Sequence, residues 1–264
     1  MSTLTRRDLL GGAATAGIMA AGLTRAVAQS RSGRAVTLEA RPGPITLDTA
    51  KTAVLVIDMQ NDFGTKGGMF DRAGIDISGI QSAVAPIARV LTAARRAEMK
   101  IVYLKMGYRS DLSDLGAPDS VNRVRHLQLG VGQNVTAPDG SASRTLIRDT
   151  WSSDIVAGLE PEADDIVLYK TRFSGFYKTG LDEKLTELGV KHLIVTGCTT
   201  SICVESTVRD AMFRDYSCAL LADCMSEPIG EDLARSNHEA TLLAVETLLG
   251  WVSESAHFAS AVAP

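Results

Sequence analysis

Three side chains in this sequence have types and positions suited to nucleophilic chemistry: Cys203, Asp58 and Lys170. Cys203 follows an apolar run, His192-Leu193-Ile194-Val195-Thr196, that ends at Gly197. The hydroxyl-rich Thr199-Thr200-Ser201 then offers caps for a helix start, and Cys203 to Ala211 reads as that helix. In a first helical turn, free backbone N–H groups and the helix dipole favour a thiolate over a thiol, which makes a cysteine nucleophilic. The alternative is a buried structural thiol. Asp58 closes the apolar run Ala53-Val54-Leu55-Val56-Ile57, and Lys170 closes Ile166-Val167-Leu168-Tyr169. A thiol needs a base to take its proton and a cation to favour its charged form, tasks that a carboxylate and an ammonium can divide. Either residue alone would be an ordinary helix cap or a solvated side chain.

The elements that must position these residues alternate along the chain. Strands are expected at Ala53 to Asp58, Ile101 to Lys105, Ile166 to Tyr169, His192 to Thr196 and Ala219 to Ala222, each short, apolar and bounded by breakers. Helices are expected at Ile80 to Ala97, Leu181 to Leu188 and Leu233 to Leu249, where apolar residues recur at helical spacing. A βαβ succession of this kind predicts an α/β fold, a doubly wound and mostly parallel sheet flanked by helices in three layers, with its site at the C-terminal strand ends. The stretch Gly107 to Trp151, rich in Gly, Pro, Asp and Ser, is expected to form a lid or pocket wall.

Length and charge limit the partners. With 264 residues and a formal charge of −4, the chain suits one globular α/β domain. Its 27 Lys and Arg are outnumbered by 31 Asp and Glu and are dispersed, so no nucleic-acid partner is expected. Arg6-Arg7 before Leu9-Leu10, an uncharged stretch from Gly11 to Thr24 and Ala26-Val27-Ala28 form the pattern of a twin-arginine export signal over residues 1–28. That predicts a periplasmic protein with no membrane attachment after signal removal, because the apolar stretch is too short for a spanning helix. Residues 29–45 are read as an N-terminal segment and 46–264 as the domain, which is expected to form a homo-oligomer. Of the four cysteines, Cys218 and Cys224 flank an expected strand and would lie about 20 Å apart, beyond disulfide reach. Each is expected to pack as a small hydrophobe.

The pattern Gly197, Thr200, Cys203, Val204 and Thr207 resembles the nucleophile motif of the isochorismatase-like cysteine hydrolases, and the segments ending at Asp58 and Lys170 resemble the other two motifs in family order. The resemblance runs from the forties to the end of the chain. It implies that Cys203 attacks an amide carbonyl, that Asp58 accepts the thiol proton and later passes it to the leaving amine, and that Lys170 holds the pair in register. It further implies an oxyanion hole from the backbone N–H groups of Thr199 and Cys203, and a cis Cys198-Thr199 peptide. The implied reaction is hydrolysis of a C–N bond through a thioester, with no cofactor. The segment Lys170 to Asp182 is similar to that of ureidoacrylate amidohydrolases, while Gly67-Gly68 and Gly107 to Leu115 are similar to biuret hydrolases. Met106 stands where a polar residue is expected of the former. The implied substrate is a small N-carbamoyl or ureido compound, with release of ammonia. A biuret or other small-amide hydrolase, or an inactive binding module on the same fold, are the alternatives.

Relatives that hold a metal carry an Asp-x-His after the second strand; Lys105 to Ser110 has no histidine, and His126, His192, His238 and His257 lack ligand spacing, so no metal is expected. The histidines are assigned core or surface roles. Arg172 is the expected clamp for a substrate carboxylate, with a surface salt bridge as its equal alternative. Phe63, Tyr108 and Tyr177 are expected to wall the pocket.

Overall fold

A computed structural model of the chain describes residues 33–264. The expected export signal at 1–28 lies outside the described residues. The described residues form ten strands: β1 (Ala35–Leu38), β2 (Ile45–Asp48), β3 (Thr52–Ile57), β4 (Lys100–Met106), β5 (Asn134–Thr136), β6 (Ala142–Arg144), β7 (Ile166–Lys170), β8 (His192–Cys198), β9 (Ser217–Ser226) and β10 (Trp251–Ser253). The α-helices are α1 (Asn61–Gly64), α2 (Met69–Arg72), α3 (Ser78–Arg96), α4 (Val121–Gln128), α5 (Leu181–Glu187), α6 (Glu205–Met212), α7 (Asn237–Ala244) and α8 (Ser255–Ala261).

Six strands form one parallel sheet in the order β10-β9-β8-β3-β4-β7. The chain enters at β3, winds out through β4 to the β7 edge, then returns to the other side of β3 and winds out through β8, β9 and β10. The order therefore reverses beside β3, where crossing connections leave a crevice at the carboxyl ends of the strands. Every residue of β3 is buried, because helices cover both sheet faces. Val54 and Val56 point to the layer of α3 and α8, against Ile80, Ile87, Val90 and Phe258. Ala53, Leu55 and Ile57 point the other way, to the layer containing Leu181, Leu185, Val208 and Leu242 of α5, α6 and α7. Each buried large aliphatic is worth roughly 1.5–3 kcal/mol relative to exposure, so the two layers hold the strand ends that carry the site.

Close packing is tightest where β8 passes β3. A Cβ at Gly197 would meet the Ile57 carbonyl oxygen at 2.0 Å, and Gly197 has φ 116°, so only glycine lets the backbone approach there.

The expected strands and helices are found with shifted ends, and two differences have clear causes. The Leu233 to Leu249 helix begins instead at Asn237, because Ser236 accepts from the Glu239 N–H in a capping box, and it widens into a π-turn over Val245–Leu249. The strand at Ala219 to Ala222 extends to Ser217–Ser226, so Cys218 and Cys224 lie within it, and all four cysteines are free. The boundary at residue 46 divides an antiparallel hairpin: β1 pairs with β2, and Val36 and Leu38 are core residues. Between Gly107 and Trp151 the chain forms α4 and the β5–β6 hairpin. No helix among the described residues is long and apolar enough to cross a membrane.

Candidate active site

Asp58 is the first residue past β3 and sits in the left-handed region at φ 53°, a conformation that a non-glycine residue adopts only under constraint. Two bonds to β4 impose it: the Asp58 N–H donates to the Leu104 carbonyl (2.9 Å), and Asp58 Oδ1 accepts from the Met106 N–H (2.9 Å). Gln60 Oε1 accepts from the same Met106 N–H, at 2.7 Å. The second oxygen, Oδ2, lies 2.7 Å from Lys170 Nζ, with both side chains buried. Lys170 Nζ also donates to the Arg172 carbonyl (3.3 Å) and to Cys203 Sγ (3.3 Å). The structure thus brings the three residues of the sequence reading together at the carboxyl ends of β3, β7 and β8.

Burial and charge set the resting state. Burial, the largest single influence, would push the Lys170 ammonium down, but Asp58 and Cys203 together outweigh it and raise Lys170 above the ordinary lysine range. Burial, then the Asp58 charge, pushes the Cys203 thiol up, against the opposing pull of Lys170. Cys203 therefore rests as a thiol in hydrogen-bond reach of Asp58, which differs from the thiolate expected of a helix start. The reason is local. Cys203 lies inside a π-turn over Thr200–Val204, ahead of α6, and fully buried groups lose more to desolvation than a helix end returns.

The turn carrying Cys203 is held from several sides. The Thr199 carbonyl accepts from Ile202 and Val204, each at 3.2 Å, and the peptide between Cys198 and Thr199 is cis. Glu227, buried at the end of β9, accepts from the Ser201 N–H (2.9 Å) and hydroxyl (2.6 Å). Thr207 donates to the Cys203 carbonyl (2.7 Å) and accepts from the Gly175 N–H (2.9 Å), which ties the nucleophile turn to the loop after Lys170. Glu227 was invisible in the sequence, since a Glu between Ser226 and Pro228 carries no motif.

Above these residues lies a cavity of about 160 Å³, which suits a small substrate. Asp58, Cys203 and Thr199 line it, as does Phe63. Tyr108, Arg172 and Tyr177 do not. Tyr108 is fully buried behind the wall, its ring edge-on to His126 at 5.5 Å, because its hydroxyl is held by Asn122. The Arg172 guanidinium donates to the carbonyls of Thr171 and Asp114 and lies over the half-exposed Tyr177 ring. The polar residues that do line the wall, besides Asp58, Thr199 and the cysteines, are Arg125 and His126 of α4. Ser120, which caps α4, and the i, i+4 spacing of Asn122 and His126 were the available signals. Among the described residues no group of three His, Cys, Asp or Glu could hold a metal ion.

A thiol, a carboxylate and an ammonium buried together at the crevice of a doubly wound sheet define a hydrolase of the isochorismatase-like fold. The isochorismatase domain model matches residues 52–257, and the chain belongs to that family. It is 38% identical over 227 residues to the ureidoacrylate amidohydrolase RutB of Variovorax paradoxus, covering 86% of this chain and 87% of the relative. A solved cysteine hydrolase from Pseudomonas syringae pv. phaseolicola superposes with a TM-score of 0.69 at 28% identity, over 82% of this chain and 94% of that one. The N-carbamoylsarcosine amidase of Thermoplasma acidophilum is similar at TM-score 0.56 and 25% identity, over 78% and 96%.

One buried carboxyl sets a pH dependence. Asp62 accepts from the Met69 N–H (3.0 Å) and the Leu146 N–H (2.7 Å), joining two cavity-lining segments, and burial outweighs these bonds to raise it from 3.8 to about 6. A raised acid contributes stability that is full below its unfolded value and is lost as pH rises through the folded value. The loss is on the order of 3 kcal/mol by pH 7. Asp62→Asn cannot ionise, so denaturant unfolding should show the wild type gaining on this variant as pH falls from 7 to 4.5.

Proposed function

We propose that this protein is a cysteine amidohydrolase that cleaves a C–N bond of a small N-carbamoyl or ureido compound. The observation carrying the reading is the buried triangle in which Lys170 Nζ lies 2.7 Å from Asp58 and 3.3 Å from Cys203 at a cavity floor. Asp58 takes the thiol proton as Sγ adds to the carbonyl carbon, and Lys170 offsets the negative charge that moves between sulfur and carboxylate. The oxyanion forms against the backbone N–H groups of Thr199 and Cys203. Asp58 returns the proton to the departing nitrogen, which leaves as ammonia when the terminal amide is cut. The acyl group remains on sulfur as a thioester, a thiocarbamate for a ureide. Water, deprotonated by Asp58, releases the acid and restores the thiol. The similar proteins, a ureidoacrylate amidohydrolase and an N-carbamoylsarcosine amidase, favour this substrate class.

Substitutions separate chemistry from folding. Cys203→Ala and Cys203→Ser should lower ammonia release at least about a thousandfold while costing under about 2 kcal/mol of stability. Lys170→Met should also abolish turnover, but cost about 3–5 kcal/mol in denaturant unfolding, because it leaves the Asp58 charge buried and unpaired. Retained ligand binding with no turnover in the wild type would identify a binding module instead.

The carboxylate of a ureido acid is assigned to Arg125, the cationic residue of the cavity lining, in place of Arg172. Among the described residues Arg125 bonds only to Gln128 across one helical turn, at 3.2 Å, so its guanidinium is free to turn to an anion. Arg125→Gln should raise KM for a ureido acid about ten- to hundredfold and leave biuret within about threefold. Arg172→Gln should not discriminate between the two. A rise for both substrates in Arg125→Gln would favour a neutral ureide.

Export is proposed from the residues alone. Fused to a reporter, residues 1–28 should direct it to the periplasm, and replacing Arg6 and Arg7 by Lys should block transport; a reporter that stays in the cytoplasm with the unaltered signal would remove this reading.

A further inference from the structure

His126 lies in the cavity wall among apolar neighbours that include Phe63, Met69, Leu146 and Phe173. Its Nδ1 is 2.6 Å from the Asn122 carbonyl, which can only accept, so Nδ1 carries the proton and Nε2 holds a lone pair. Among the described residues no hydrogen bond engages Nε2. The ring is gripped on both sides, by Tyr108 edge-on at 5.5 Å and by Phe173 at 5.8 Å. The Asn122 side chain also donates to the Tyr108 hydroxyl (3.3 Å) and to the Leu115 carbonyl (2.9 Å), so one residue fixes the ring's tautomer through its backbone and the residue behind it through its side chain. Burial, the largest influence, lowers His126 from the ordinary histidine range, which keeps the ring neutral. His126 as a residue is buried, yet its uncommitted Nε2 keeps some accessible surface and so stays open to a ligand in the cavity that the residue lines.

We propose that His126 Nε2 is the acceptor for a ureido N–H of the substrate and that it selects ureides over ligands of the same shape that lack an N–H. This rests on the reading of the site as a ureide hydrolase and names the group that recognises the substrate's nitrogen. The complementary donors and acceptors are then divided. Backbone N–H groups face the carbonyl oxygen, Arg125 an anionic tail, and His126 a nitrogen. A site whose polar group is built to pair with a substrate N–H rejects the analogue without it, since the imidazole would be left unsatisfied against a methylene.

Binding rather than turnover tests this, so that it can be judged apart from the catalytic reading. In full-length Cys203→Ala, calorimetry would compare a ureido acid with its methyl ketone isostere, in which a methylene and a methyl replace the two nitrogens. Adding His126→Phe should weaken the ureide roughly five- to hundredfold and change the ketone less than about twofold. His126→Gln, which returns an acceptor near Nε2, should recover most of the ureide affinity. In the Cys203→Ala parent itself, the ¹⁵N resonance of His126 Nε2 should move on adding the ureide and stay in place with the ketone, a readout that needs no change at His126. Equal weakening of both ligands, an unmoved Nε2 resonance at saturating ureide, or no ureide binding to the parent would each overturn the proposal. Ammonia release by the wild type reports separately on the hydrolase reading, which stands if turnover of the ureide survives an unmoved Nε2.

Discussion

The ion pair between Lys170 and Asp58 is the constraint on which the site depends. Two charges removed from water cost several kcal/mol each, and their attraction repays this only when the remaining hydrogen-bonding capacity is met. Here the Met106 N–H bonds Asp58 Oδ1 and the Arg172 carbonyl bonds the ammonium, while among the described residues Asp58 Oδ2 has the ammonium alone for a partner. Such a pair adds little net stability compared with apolar residues of the same volume, so its presence indicates a use. On the proposed amidohydrolase reading, that use is to hold Cys203 as a protonated thiol beside a base, ready to transfer its proton only when a carbonyl arrives. The fold supplies the burial: β3, β7 and β8 deliver the three residues to one crevice, and the layers on both faces of the sheet keep water out.

The ring of contacts around the pair follows from the same need for fixed geometry. Asp58 stays in a left-handed backbone conformation because β4 holds both its N–H and its carboxylate. Glu227 and Thr207 hold the nucleophile turn from opposite sides, one from the end of β9 and the other through the loop after β7. Asp62 does for the cavity wall what Asp58 does for its floor, fastening two backbone segments with one carboxylate. The wall pays for this with a carboxyl that is neutralised in mild acid, so stability and a formed cavity draw on the same group.

The cavity explains why so few polar groups are needed. In about 160 Å³ of mostly apolar lining, each donor or acceptor carries a large share of recognition. Arg125 and His126 are neighbours on α4, one reaching the exposed side of the wall and the other buried in it. Their division of labour depends on the helix being anchored, through Ser120 at its start and Asn122 within it.

The sequence by itself determined the parallel sheet and the gathering of Asp58, Lys170 and Cys203 at its carboxyl edge, because both are local signals. Apolar runs bounded by breakers mark strands buried on two faces, and the residue that ends such a run must emerge where the strands end. Asp58, Lys170 and Cys203 could therefore be placed at one edge before any contact was known. The charge state of Cys203 could not, since it depends on burial and on Asp58, 145 residues away in the chain. Nor could the recognition residues. Arg172 is close to Lys170 in sequence, but consecutive residues in a loop turn in different directions, and its guanidinium bonds to carbonyls outside the cavity. Arg125, His126 and Glu227 reach the site from segments with no motif, through long-range packing of α4 against the loop after β7 and of β9's end against the nucleophile turn. Only the tertiary structure decides which surfaces of those segments meet, because the contacts lie between residues whose spacing along the chain sets no direction.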